Sequence, residues 1–422
     1  MIWVVGWALA ADEPCYGHAR EERLSSDHFW VEWSGSRLRE ERAEAMLEAA
    51  ELARTTWLDL GYGFTDQPIV IEVLDFGDGG SSGLTTTRPC GEQLVPFIQI
   101  YLGRWDTLSL VDLVTHETAH AAQYADMGAY TDSVASWAWW MEGHATWLTP
   151  HASSQWDAWA RSADGYTSNI ELPLQHGVEG YLATATSDHM YGTTLLVHAL
   201  AELTSPEVVR DTWTWGGPRS GQPIQFIDAI DAVTDGFVPL WTDYLTHLPT
   251  LNFKRGRSIQ RPLAHIAEEL PLTATHAGAG GLGVAIMRFP ASLGDPDHSL
   301  SVQFDGGDQP WLVVLSATAP NESVVERVAF YTSDGQAEGW ISSFDSDIWL
   351  VASPLSDARD LQPFTFTAEL TDRKPPMDEA TVYLPSRAEF SEEGCACAHA
   401  GRPWALAALL PLLAARRRYS KA

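Results

Sequence analysis

The sequence predicts an α+β chain: a mixed helix–strand domain followed by an antiparallel β-sandwich. Three observations carry this. Up to about residue 254, segments with apolar residues at helical spacing alternate with short β-branched runs. Lys254–Gln260 is basic and polar, the composition of a boundary. From about Gly281 the period shortens to β-rich runs split by Gly, Pro, Asp and Ser, the pattern of a sandwich. The expected domains are residues 12–254 and 255–388, preceded by a leader, 1–11, and followed by a tail, 389–422. A chain of 422 residues is itself long for one domain.

Met1–Ala11 is apolar and ends Ala-Leu-Ala-Ala before Asp12, like the core and cleavage site of a secretory signal peptide. It lacks the usual basic start, and a buried first strand is the alternative. Asp27–Ser34 alternates like a strand, and Arg37–Leu60, rich in Ala, Glu, Leu and Arg, predicts a helix. Ile69–Leu74 predicts a strand, Asp75–Gly91 a Gly- and Thr-rich loop, and Pro96–Leu102 a third strand. Leu110, Leu113, Val114 and Ala121 give Val111–Tyr124 a buried helical face, with Ser109 and Asp112 as a capping box and Gly128 as the stop. Trp137–Leu148 is apolar and aromatic and closes at Pro150; a polar stretch then runs to about Leu182. Loop and helix follow in Thr184–Leu203, then helices at Pro206–Trp213, Pro223–Val233 and Val238–Leu248. The expected strands of the second domain are Gly283–Phe289, Ser299–Phe304, Trp311–Leu315, Val325–Tyr331, Ile348–Ala352 and Phe364–Leu370.

A net charge of −30 argues against nucleic acid and anionic membrane surfaces as partners. Four cysteines are few. In an exported chain Cys15 and Cys90 are expected to form a disulfide, with two free thiols as the alternative.

The chemistry concentrates in His116-Glu117-Thr118-Ala119-His120. On a helix, residues four apart share a face, so His116 and His120 can offer two imidazoles to one metal ion. Zinc takes nitrogen ligands, and a catalytic zinc keeps one position open for water. Glu117 is placed to reach that water as a general base. Glu142 is the one acidic residue of the Trp-rich segment, and a carboxylate there is costly to bury unless paired or metal-bound. It is the favoured third ligand; His144 is the competitor.

These residues resemble the gluzincins, zinc metallopeptidases in which a Glu on a second helix completes a His-His-Glu site. Glu142-Gly143-His144-Ala145 looks like the E-G-x-A signature of several such families. Some members carry an Asp four residues after that Glu, which orients a zinc-bound His; Thr146 stands there in this chain. The resemblance implies a zincin-like domain, a Zn²⁺ cofactor, a peptide or protein substrate, and a sheet-edge strand lining the cleft, for which residues 96–102 are the candidate. It also implies a hydrogen-bond donor for the transition state, sought in Asp188–Gly192: Tyr191 first, His189 next, with a core role for Tyr191 as the alternative. The tail, with Cys395 and Cys397, an apolar run Pro403–Ala415 and Arg416–Arg418, resembles the MYXO-CTERM sorting signal of myxobacterial exported proteins, among which metalloproteases with this tail are known. That resemblance implies export and sorting machinery as partners and placement at the outer cell surface. The rival expectation is a zincin-fold adhesin or binding module without catalysis; an intact Glu117 argues against it.

Overall fold

The computed structural model describes residues 20–375 apart from 36–37, 76–81, 103–106, 128–137, 154–157, 177–188, 217–222, 255, 296, 343–345 and 373. The expected leader and tail, and Cys15, Cys395 and Cys397, lie outside the described residues. Cys90 is disulfide-bonded.

The chain is a mixture of α and β structure. Five strands open it: β1 (Glu22–Ser25), β2 (Phe29–Trp33), β3 (Ile69–Asp75), β4 (Ser82–Cys90) and β5 (Gln93–Leu102). Their order is β1-β2-β3-β5-β4. β2, β3 and β5 run parallel, while β1 and β4 flank them antiparallel. The two-residue period of a strand decides what each face buries. Phe29, Val31, Ile69, Ile71, Ile98 and Ile100 point to one side and share a core with α1 (Glu40–Asp59) and α2 (Thr107–Met127).

Within the expected loop Asp75–Gly91, Ser82–Cys90 forms a strand, β4. The strand at Pro96–Leu102 is real and longer, but it is interior; the edge is β4. The first turn of α2 also begins at Thr107, so Ser109 lies inside the helix rather than at its cap.

α3 (Ala138–Ala152) is buried along almost its whole length, and Pro150 falls inside it rather than ending it. Gly143 lets α3 approach its neighbour, because a Cβ there would meet Thr193 Oγ1 at 2.2 Å. α4 (Ala158–Thr167) lies within the polar stretch that follows Pro150. α5 (Thr194–Leu203), α6 (Pro206–Gly216), α7 (Pro223–Val233) and α8 (Phe237–His247) lie close to their expected places. No helix among the described residues is long and apolar enough to cross a membrane.

The second half holds β6 (His265–Ile266), β7 (Leu272–Ala279), β8 (Ala285–Phe289), β9 (His298–Asp305), β10 (Trp311–Thr318), β11 (Val324–Thr332), β12 (Gln336–Ile341), β13 (Asp347–Pro354) and β14 (Gln362–Asp372). They form two sheets, β11-β10-β13-β8-β6 and β12-β9-β14-β7. One hydrophobic cluster takes Phe289, Trp311 and Leu350 from the first sheet and Val302, Phe304 and Phe366 from the second. Pairing is antiparallel except that short β6 runs parallel to β8. β6, β7 and β12 were not expected from the sequence.

The described residues on both sides of the basic stretch Lys254–Gln260 fall in one compact unit. Its halves are stitched by backbone: Val284 N–H donates to Ile170 O at 2.8 Å, Gly280 N–H to Glu171 O at 2.8 Å, and Leu174 N–H to Gly281 O at 3.1 Å. Trp241 Nε1–H adds a bond to Ser353 Oγ at 3.2 Å.

Candidate metal centre

α2 and α3 pack against each other and bring three expected ligands together. His116 Nε2 is 3.0 Å from Glu142 Oε2, and His120 Nε2 is 3.3 Å from the same oxygen. The two Nε2 atoms are 3.1 Å apart. Tetrahedral zinc at about 2.0–2.1 Å from each ligand places ligand atoms about 3.3 Å apart, so the spacing fits. His120 and Glu142 are buried and His116 is half-buried, which leaves one side for solvent or substrate.

The electrostatics of this group favour a cation. Burial works to lower the His120 pKa, but the Glu142 carboxylate, by charge and hydrogen bond, and Glu117 outweigh it and hold the ring up at about 9. Burial works to raise Glu142, yet His120 and His116 hold its carboxyl far below the usual range.

Glu117 follows His116 on α2 and is buried, which pushes its pKa up. The edge strand lies directly on it. Thr85 Oγ1 is 2.7 Å from Glu117 Oε2 and 2.9 Å from Glu117 O, so its single proton has two acceptors in reach. A glycine is required next to this contact: a Cβ at Gly83 would meet Glu117 Oε1 at 2.2 Å.

His144 is not gathered with the ligands. It is fully buried, with Trp140, Trp147 and Trp213 around its ring at 5.6–5.9 Å between centroids. Burial, and then the charge of His120, lower its pKa to about 3, so the ring is neutral. Of the two candidate donors, Tyr191 stands beside His116, ring centroids 5.9 Å apart. His189 is buried against Tyr166 and His176 instead, and burial followed by the charge of His176 lowers its pKa to about 3.

Sequence reasoning missed Gln123. It is fully buried and hydrogen-bonds His120 Nδ1 at 2.8 Å. The available signal was its position three residues after His120, on the same helix face.

A second group has the same residue types. Glu171 Oε1 is 3.5 Å from His265 Nε2 and 3.6 Å from His276 Nε2. Here the Gly278 N–H donates to His276 Nδ1 at 2.9 Å. Burial, then the charge of His265, lower the His276 pKa to about 4, so the ring is neutral at pH 7 and its proton sits on Nε2. That tautomer turns an N–H toward Glu171, so this group is less ready to take a metal than the first.

No protein-family model matches the chain, and no curated protein does either.

Proposed function

We propose that the chain is an exported zinc-dependent peptidase of gluzincin type, with a zincin-like first half and a β-sandwich second half. The observation that carries the reading is the convergence of His116 Nε2, His120 Nε2 and Glu142 Oε2 within 3.0–3.3 Å of one another, with Glu117 alongside. His116, His120 and Glu142 would hold Zn²⁺; when bound, the ion supplies Lewis acidity for a scissile carbonyl and for water. Glu117 takes a proton from water on a carboxylate oxygen and delivers it to the leaving amine nitrogen. Its raised pKa suits a group that must hold that proton between the two steps. Tyr191 donates its phenolic hydrogen to the carbonyl oxygen as charge develops there. β4 offers its open backbone edge to an extended peptide. The tail would bring the export and sorting machinery and place the enzyme at the cell surface.

The test is turnover of casein or a peptide library by the purified chain, with and without chelator, beside Glu117→Gln. The variant should keep zinc and lose about 10²–10⁴-fold in kcat. Activity within tenfold of the parent would remove Glu117 as the base. A zinc-loaded parent without turnover points to the surface binding module instead. Glu142→Ala should weaken zinc binding, and unchanged affinity would take Glu142 out of the ligand set.

A further inference from the structure

We infer that Gln123 selects which nitrogen of His120 faces the metal and, through the same amide, fixes the two ligand-bearing helices against each other. The inference rests on the metal reading above. A backbone carbonyl only accepts hydrogen bonds. Gln123 has Nε2 3.0 Å from Met141 O, so the NH₂ end of its amide must face that carbonyl. The other end, Oε1, therefore faces His120 Nδ1 at 2.8 Å. An amide oxygen only accepts, so Nδ1 carries the hydrogen. His120 Nε2, which points at His116 and Glu142, then presents a lone pair once the ring is neutral.

The second N–H of the amide lies 3.2 Å from His144 Nδ1. His144 therefore accepts on Nδ1 and carries its proton on Nε2, which sits 2.5 Å from Tyr62 Oη. Trp140 and Trp213 enclose the His144 ring, each with its centroid 5.6 Å away. Thr146, the other residue considered for orienting a ligand, has a buried hydroxyl with no hydrogen-bond partner.

Met141 immediately precedes Glu142. One buried side chain thus ties the second ligand, on α2, to the backbone beside the third, on α3. Its oxygen and both its N–H groups are used, as a fully buried amide requires. Gln123 is a positioning residue: it touches a ligand, not the reacting atoms.

The experiment compares the full chain with Gln123→Met and Gln123→Glu. Zinc affinity is measured by competition with a chromophoric chelator. Long-range ¹H–¹⁵N spectra of the zinc-loaded protein identify which His120 nitrogen bears hydrogen. Gln123→Met, similar in shape but unable to accept that bond, should lose roughly 10–100-fold in affinity and the exchange-protected Nδ1–H signal. Gln123→Glu keeps an acceptor and should retain the signal and most of the affinity, although it unfolds at a lower temperature. A purely packing role would lower thermal stability in both variants and leave zinc affinity unchanged, which would overturn the inference. If the parent chain binds no zinc, the metal reading fails on its own. The spectrum of the metal-free parent, taken at a pH where the signals themselves show a single hydrogen on the His120 ring, still judges Gln123: hydrogen on Nδ1 supports it and hydrogen on Nε2 overturns it. That parent spectrum also decides if the Met variant does not fold.

Discussion

Gly83 and Glu117 are so close that one methyl group would disturb the carboxylate proposed as the base. A Cβ at position 83 would sit 2.2 Å from Glu117 Oε1 and 2.5 Å from its Cδ. Glu117 is buried and engaged by Thr85, so it has little room to yield. Gly83→Ala should lower kcat by about 10–100-fold through misplacement of the carboxylate, with zinc content unchanged. Steady-state kinetics beside metal analysis check this, and an unaltered kcat would mean that the strand moves aside freely. Tyr191→Phe removes only a hydroxyl. It should cost about 10²–10³ in kcat with little change in bound zinc, and no change would return Tyr191 to a packing role beside His116. At this scale the charged members of the site were legible, because a histidine pair four apart and a lone carboxylate among tryptophans are chemically conspicuous. Gln123 was not, since a neutral amide gives no such signal and its partner Met141 O is backbone on another helix.

At the scale of elements, Glu51 shows how a helix and a hairpin are joined. Its carboxylate on α1 accepts from Ser26 Oγ at 2.5 Å and from His28 N at 3.0 Å, both on the turn between β1 and β2. Burial works to raise its pKa, but the bonds from Ser26 and His28 outweigh it and hold the carboxyl below the ordinary 4.5. A depressed carboxylate contributes stability that is present above the unfolded value and disappears as pH falls through the folded one. Glu51→Gln should therefore cost about 1–2 kcal/mol at pH 7, and the difference should fade as pH falls below the ordinary carboxylate range and through the lowered folded value. Urea unfolding of both proteins across that range is the measurement; a gap that persists in acid would contradict the assignment. The elements that escaped sequence reading share a physical cause. β4 is Ser-Gly-Leu-Thr-Thr-Thr-Arg-Pro-Cys, which lacks apolar alternation, because one of its neighbours is a carboxylate rather than a hydrophobic core. Its three successive threonines were the sign of extended backbone. α4 contains Arg-Ser-Ala-Asp-Gly, a polar run that resembles a loop until its buried Ala163 and Tyr166 are seen.

For the whole molecule, the seam between the halves matters more than the stretch of chain that links them. Gly283 packs where a Cβ would meet Glu171 O and Leu172 O at 2.6 Å each. Gly283→Val should destabilise the protein by about 1–3 kcal/mol through this collision. Calorimetry of the parent should show one cooperative transition spanning both halves; two separated transitions would mean that the seam carries little energy. The change of period near Gly281 was legible as a change of architecture. The docking was not, because it pairs residues 170–174 with 280–284 through backbone atoms, which leave no side-chain pattern.

β4 pairs with β5 on one side, and it stands at the edge of its sheet. An open ladder of N–H and C=O groups does not distinguish a foreign peptide from a sister molecule. Pro89 removes one donor near its end, and the bulky charge of Arg88 lies just before it, so the unguarded length is short. At high concentration the same edge is where two copies would zip together, each covering the strand that lies on the other's Glu117. If the chain is the peptidase proposed above, self-association at this strand would appear as specific activity that falls on concentration and recovers on dilution.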